Sequence, residues 1–410
     1  MQHSSKRFPN GLLFVHTQIA SPVSYCGFTI NVGTRDEPSN KAGIAHFVEH
    51  LLFKGTAKRK AYHILNRMEN VGGELNAFTT KEETVIYSVF MNEHLARAVE
   101  LLADLVFNSI IPENEFIKER EVILDEIRSY QDSPSEQIFD DFESMVFNNH
   151  PLGHPILGTE DSLQTISPSD CRTFIKSRYF FDKMAFFYWG KTSFHSVLKT
   201  FNRLVLKGDM SGGLPASTLH RVPPHSYVPG NEKKEMETYQ SHIIIGTPAY
   251  AMFDQKRRAF LLLNNYLGGP CMNSLLNVSL REKRGLVYSV DSSAAAFTDT
   301  GLFSVYFGAD PKDMNRCISL VHKELKRLCA TKISTLKLHA IKRQMMGQIH
   351  VAADNHENLA LSIAKSFLHR GEFEGLKERC RNIEQITAGE LLDVANEIFD
   401  EKKLSTLVFV

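Results

Sequence analysis

The chain has 410 residues, 43% of them apolar and 23% charged, the make-up of a folded protein rather than a disordered one. Forty-seven Lys and Arg balance forty-seven Asp and Glu, so no charge excess argues for nucleic acid or an anionic membrane as partner. At roughly 100–200 residues per domain, the length predicts two or three domains, each with its own core.

The start, Met1-Gln-His-Ser-Ser-Lys-Arg, is polar, and the apolar run 12–15 stops at His16. That is too short for a signal peptide, and no apolar run reaches the ~18 residues of a membrane span. Cys26, Cys171, Cys271, Cys317, Cys329 and Cys380 are scattered and form no CxxC. They read as free thiols in a reducing compartment. The expectation is a soluble cytoplasmic protein with no membrane or nucleic-acid partner.

Residues 25–32 (YCGFTINV) predict a strand. Next comes Gly43-Ile-Ala-His-Phe-Val-Glu-His-Leu-Leu-Phe-Lys-Gly. On a helix, His46, Glu49, His50 and Phe53 share one face. Ile44, Phe47, Val48, Leu51 and Leu52 share the other, which buries against the domain. Two imidazoles one turn apart reach a single metal ion, and Glu49 stays beside it without needing to ligate. A catalytic zinc takes three protein ligands, so a third must come from elsewhere.

Tyr87-Ser-Val-Phe predicts a strand leading into a helix over 93–106. A second helix, 113–130, carries an apolar stripe of Phe116, Ile123 and Ile127. Glu119 and Glu126 border that stripe two turns apart. On their own they read as part of a solvated, charge-rich face. Beside the histidine pair, one reads as the third ligand and the other as support for a ligand or the base. A further helix is predicted over 135–147. His150 and His154, in His-Pro-Leu-Gly-His-Pro, read as structural turn residues, and His63 and His94 as surface or capping residues.

Gly, Pro and polar residues dominate 207–235, the best linker in the chain. Beyond it the element order repeats. Residues 242–247 predict a strand, Phe303-Ser-Val-Tyr another, and helices follow over 314–328, 336–352 and 357–368. Matching Ser88 with Ser304 gives an offset of 216 residues (304 − 88). Several elements in one order at a similar offset predict a duplication. The predicted fold is α+β, with two homologous domains, each a mainly antiparallel sheet with helices packed on it. The predicted boundaries are 1–206 for the metal-binding domain, 207–235 for the linker and 236–410 for the second domain.

At this point the chain resembles the inverted-motif (HxxEH) zinc peptidases, the family of pitrilysin, insulin-degrading enzyme and mitochondrial processing peptidase. The resemblance spans nearly the whole chain. It is carried by Phe8-Pro-Asn-Gly-Leu, Gly33-Thr-Arg-Asp-Glu, Ala45-His-Phe-Val-Glu-His-Leu-Leu-Phe-Lys-Gly-Thr and Gly72-Gly-Glu-Leu-Asn-Ala-Phe-Thr. Glu119-Arg-Glu-Val-Ile-Leu-Asp-Glu, His150-Pro-Leu-Gly, Pro155-Ile-Leu-Gly and Arg281-Glu-Lys-Arg-Gly-Leu-Val-Tyr continue it. The family's third ligand lies about 76 residues past the second His, which selects Glu126 (126 − 50 = 76) and leaves Glu119 as the supporting acid.

The resemblance implies a metalloendopeptidase with one Zn2+ per chain, ligands His46, His50 and Glu126, and Glu49 as general base. It implies that Arg281 and Tyr288 grip substrate and stabilise the transition state. The chain departs from its relatives at Gly268-Gly-Pro-Cys-Met-Asn-Ser-Leu-Leu, where Pro270 stands and an Arg is missing. A chain of this length corresponds to one processing-peptidase-like half-shell. The expected partners are peptide substrates and a second half-shell, in a homodimer or a heterodimer with a paralogue. Arg281 and Tyr288 would then act in trans. Residues 74–79 (ELNAFT) read as an edge strand to which a peptide adds, with Asn76 and Ala77 in contact. Two other functions compete: a non-catalytic partner subunit, whose known examples usually lose ligands or the base, and a non-peptidase metal hydrolase.

Overall fold

The computed structural model describes residues 2–206, 221–225 and 227–410. Two compact units emerge. The first comprises Met1–Arg128, His154–Arg221 and Ala353–Phe373, and the second Ser129–Gly153, Val222–Ala352 and Glu374–Val410.

The first unit holds strands β1 (Gln2–Arg7), β2 (Leu13–Gln18), β3 (Val23–Ile30), β4 (Glu74–Thr79), β5 (Thr84–Met91) and β6 (Met184–Gly190). They form one sheet in the order β1-β2-β6-β3-β5-β4, so β4 is a free edge. Only β2 and β6 run parallel. The first helices of the chain are α1 (Ile44–Leu52), α2 (Ala61–Glu69), α3 (Leu95–Asn108), α4 (Glu113–Gln131) and α5 (Pro134–Val146).

β6, Met-Ala-Phe-Phe-Tyr-Trp-Gly, is buried along its whole length. A strand apolar at every position needs cover on both faces. On one face Phe14, Phe28, Ile86 and Phe186 join residues of α1 and α3 in the main core. On the other, Leu13, Val85, Phe187 and Trp189 meet Leu359, Ala360, Ile363, Ala364 and Phe367. Those five residues are the apolar stripe of the helix His356–Arg370. The first sheet is thus closed by a helix from the far end of the sequence.

The second unit repeats this plan. Its strands are β7 (Asn231–Lys234), β8 (Ser241–Ala249), β9 (Val287–Ala296), β10 (Gly301–Ala309) and β11 (Ser405–Phe409), in the order β7-β11-β8-β10-β9. This matches β2-β6-β3-β5-β4 strand for strand, including the single parallel pair, here β7 with β11. The helices Met314–Ala330, Thr335–Ala352 and His356–Arg370 follow β10 as α3, α4 and α5 follow β5. Ile138, Phe142 and Val146 of α5 cover Ile244, Leu302, Leu407 and Phe409 of the second sheet. The two exchanged helices are therefore equivalents, and each half of the sequence lends the same helix to the other.

The α+β class and the long helices lie where the sequence predicts them. The contiguous boundaries 1–206 and 236–410 need correction, because two-sided sheet burial moves one helix across in each direction. Of the predicted linker, 207–220 and 226 lie outside the described residues. Residues 231–234 are not linker but β7, whose exposed polar side chains hide a backbone paired with β11. Among the described residues no helix is long and apolar enough to cross a membrane. All six cysteines are free.

Candidate metal centre

The site is built on α1. Gly43 precedes the helix with φ +89°, and a Cβ there would lie 2.5 Å from the Leu157 carbonyl oxygen, so only glycine fits. The Glu37 carboxylate accepts the backbone N–H groups of Gly43 and Ala45 at 2.9 and 2.8 Å. It caps the helix from outside, and burial pushes its carboxyl up to about 8 against the pull of these two N–H groups. Ile44, Phe47, Val48, Leu51 and Leu52 enter the core as predicted. Phe47 stacks on Phe116 of α4 with ring centroids 4.6 Å apart, which docks α4 against α1. Phe53 lies just past the helix end and packs partly against the same core.

That docking brings Glu126 to the histidine pair. The His46 and His50 rings are 4.6 Å apart. Glu126 Oε2 lies 3.9 Å from His46 Nε2 and 3.8 Å from His50 Nε2. One donor atom from each residue falls within 4.8 Å of the others, the only such group of His, Cys, Asp or Glu found among the described residues. These separations are too long for hydrogen bonds. They are a little wider than the ~3.4 Å between neighbouring ligands on a tetrahedral ion with ~2.0–2.2 Å bonds. The donor set, two imidazole nitrogens and a carboxylate oxygen, fits zinc.

The surroundings tune each member. Glu119 Oε2 accepts from His50 Nδ1 at 3.2 Å, and its other oxygen is 2.7 Å from Lys54 Nζ. This fixes the tautomer that leaves His50 Nε2 free as a donor to metal. His46 is 8% exposed, and burial, aided by the His50 charge, pushes its imidazole down to about 3. A neutral imidazole at 3.9 Å makes no ion pair with Glu126, and it is the form a metal requires. Among the described residues nothing accepts a hydrogen bond from His46 Nδ1. Burial raises the Glu49 carboxyl above the usual range and the Glu126 charge adds to this, while the Thr79 hydroxyl and His50 oppose it. Thr79 Oγ1 donates to Glu49 Oε2 at 2.5 Å.

The His46 shift has a measurable consequence in the metal-free protein. The unfolded chain protonates His46 near pH 6.5, whereas the folded chain resists until about pH 3. Acidification therefore favours the unfolded state, and stability falls with pH through this window. Between pH 6.5 and 5, metal-free wild type should lose about 2 kcal/mol more than metal-free His46→Gln in urea denaturation. Equal losses would contradict a buried neutral imidazole.

The other predicted residues lie as follows. Asn76 and Ala77 sit on β4, opposite Tyr87 and Ile86, at the free sheet edge that ends in Thr79. Arg281 and Tyr288 belong to the second unit and lie together, the guanidinium 5.9 Å from the ring centroid. Arg281 stands in a π-helical turn (Asn277–Glu282), and Tyr288, 85% exposed, stands on the edge strand β9. His150 is structural, with Nδ1 accepting from Leu152 N and Nε2 donating to the Val222 carbonyl.

Among the described residues the second unit has no copy of the centre. Its helices Arg257–Gly268 and Thr335–Ala352 are joined by Asn265 and Gln348, whose amides hydrogen-bond at 2.9 Å. A neutral amide pair thus stands between helices equivalent in chain order to α1 and α4. Sequence reasoning missed Glu37, Lys54 and Thr79. All three stand inside quoted motifs, but only the fold shows what their side chains touch.

Residues 14–160 match the family described as insulinase (peptidase family M16), and residues 165–345 match the peptidase M16 inactive domain. The uncharacterized zinc protease YmxG of Bacillus subtilis is 30% identical over 93% of this chain and 92% of its own length. An uncharacterized zinc protease of Streptomyces coelicolor is 31% identical over 96% of this chain and 86% of its own. Among solved structures, a protease from Helicobacter pylori superposes with a TM-score of 0.90 at 22% identity, over 100% of this chain and 99% of that one. A peptidase M16 inactive domain from Pseudomonas fluorescens reaches 0.92 at 16% identity, over 100% and 98%. The two structural likenesses establish the fold alone, and the sequence matches go further: this chain belongs to peptidase family M16, the insulinase family.

Proposed function

We propose that this protein is a zinc-dependent endopeptidase of short or unfolded peptides, with His46, His50 and Glu126 holding one ion per chain and Glu49 as general base. The observation that carries the reading is the cluster of three donor atoms within 4.8 Å, with a buried carboxylate on the next residue of the same helix face. A bound zinc supplies Lewis acidity, polarising the scissile carbonyl and bringing the pKa of water to about 7. Glu49 takes the proton from the attacking water and later delivers it to the leaving amine. Thr79 holds one Glu49 oxygen and leaves the other for this proton traffic. The substrate pairs as an added strand with the free edge of β4, against Asn76 and Ala77. Such pairing reads main chain more than side chains, so sequence preference is weak.

Arg281 and Tyr288 supply positive charge and a hydroxyl to the developing oxyanion. We assign them to a second copy of the chain, or to a paralogue, which closes with the first around a chamber. Six free thiols suit a cytoplasmic setting. A non-catalytic partner subunit is the second reading, prompted by the inactive-domain match. That match covers 165–345, which holds Asn265 of the amide pair, and not the residues of the metal cluster.

Digestion of a fluorogenic peptide library tests the reading. Cleavage should stop with a chelator and return with zinc. Glu126→Gln should weaken zinc binding by more than about a hundredfold, beyond the usual cost of a lost supporting contact. Cleavage that persists in a chelated, zinc-free sample would refute the proposal.

A further inference from the structure

The tip of the β4–β5 hairpin, residues 80–83, is held at every position. Thr80 N donates to the Glu83 carbonyl at 2.8 Å, closing the turn. The Thr80 and Lys81 carbonyls accept from Thr34 N and Arg35 N at 3.1 and 2.8 Å. That close approach needs Gly33, where a Cβ would lie 2.3 Å from the Thr80 oxygen. Lys81 Nζ donates to the His154 carbonyl at 2.6 Å. Glu82 pairs with Arg35 at 2.7 Å, both buried. Glu83, 2% exposed, accepts from His369 Nε2 and Lys365 Nζ, each at 2.7 Å.

Lys365 and His369 belong to the exchanged helix His356–Arg370. Near its start the same helix grips β5 again, because Tyr87 donates to Glu357 at 2.5 Å. Tyr87 stands opposite Asn76, and Glu83 stands four residues beyond Thr79 around the turn. The polar ties of this helix therefore end on the hairpin at Tyr87, across from Asn76, and at Glu83, around the turn from the residue that holds Glu49. A buried carboxylate with an ammonium and an imidazole N–H as donors is costly to place and costly to break, and the hydrophobic stripe alone would dock the helix without it. Burial alone would raise the Glu83 carboxyl, but His369 and Lys365 outweigh it and hold it below the usual range, so the tie is charged.

We propose that His369 and Lys365, through Glu83, are positioning residues for the general base, so that the second half of the sequence sets the place of Thr79 and hence of Glu49. The inference rests on Glu49 acting as the base. Its physical content is alignment: a shift of about 1 Å at a reacting group can cost a hundredfold in rate. Zinc affinity should be untouched, because the tie reaches Glu49 and none of the metal donors.

The test uses full-length His369→Ala, His369→Gln, Glu83→Gln and Lys365→Met, with kcat and KM on a fluorogenic peptide and zinc affinity by chelator competition. His369→Ala is expected to lower kcat by about ten- to a hundredfold, the range for a lost supporting contact. KM and zinc affinity should stay within about twofold, below a resolvable free-energy change. His369→Gln, which keeps an N–H donor, should recover most of the loss. Glu83→Gln/His369→Ala should be no worse than the stronger single change, as expected for one shared contact. If His369→Ala does not fold, Lys365→Met decides, since its half-exposed side chain can be lost without a cavity. It should show a smaller kcat loss with zinc affinity intact. Unchanged kcat in the folded variants overturns the inference, as does zinc affinity falling in step with kcat. Wild type that cleaves nothing would instead refute the peptidase reading itself.

Discussion

Glu49→Gln is expected to lower kcat/KM for peptide cleavage by at least about a thousandfold, within the range assigned to a lost general base. The substitution is nearly isosteric. The amide oxygen of glutamine can still accept from the Thr79 hydroxyl, so the one bond that orients the side chain survives. What is lost is the capacity to take a proton. Zinc content should remain one ion per chain, because the metal cluster of His46, His50 and Glu126 does not include Glu49. Stability should not fall. Glu49 is 9% exposed and its carboxyl is raised by burial, so the folded state bears a cost for carrying the charge above the normal carboxylate range. Glutamine removes that cost, and at pH 7 the metal-free variant should melt at or above the metal-free wild-type temperature. Lost activity with unchanged zinc and unreduced stability is a signature that misfolding cannot produce. Activity within tenfold of wild type would remove Glu49 from the mechanism.

The metal helix was readable from the chain because its chemistry and its packing share one period. His46, Glu49 and His50 fall on one side of α1 and five core residues on the other, and the structure keeps that division. The third member was only half readable. Periodicity put Glu119 and Glu126 on the same border of α4, and the choice between them needed the family spacing. In the structure Glu126 reaches both Nε2 atoms, while Glu119 turns to His50 Nδ1 and Lys54. The exchanged helices were not readable. The stripe 359/360/363/364/367 shows that the helix must bury a face, but no local pattern says which sheet receives it. β6 carried a clue, since a run buried on both faces asks for cover from outside its own half. β7 gave none, because its four side chains are polar and exposed and only its backbone is engaged. The cap by Glu37 was hidden for a similar reason. It acts across six and eight residues through side-chain oxygens, a reach that no helix-start rule contains.

Two inactive variants, when mixed, should regain activity if the site is shared between chains. Arg281→Ala/Tyr288→Phe keeps the metal cluster and the base but loses the guanidinium and the hydroxyl proposed to meet the oxyanion. Glu49→Gln keeps that pair and loses the base. Each alone should fall at least about a hundredfold in kcat, the usual effect of losing a single oxyanion donor. In a two-fold dimer, random assortment makes half of the molecules mixed, and each mixed dimer rebuilds one of its two sites from intact parts. Co-expression should therefore restore about a quarter of wild-type activity, far above the sum of the two variants. The pair suits delivery to a neighbouring chain. Tyr288 is 85% exposed on an edge strand, and Arg281 is held 5.9 Å from its ring centroid without being buried. The substitutions should also leave the fold intact, since neither side chain belongs to the second core. Activity that stays at the sum of the two variants, in samples shown by tagged pull-down to contain mixed dimers, would mean that each chain completes its own site. The same co-expression with Glu126→Gln in place of Glu49→Gln should restore the same quarter, because the metal donors and the base lie on one chain and fail together.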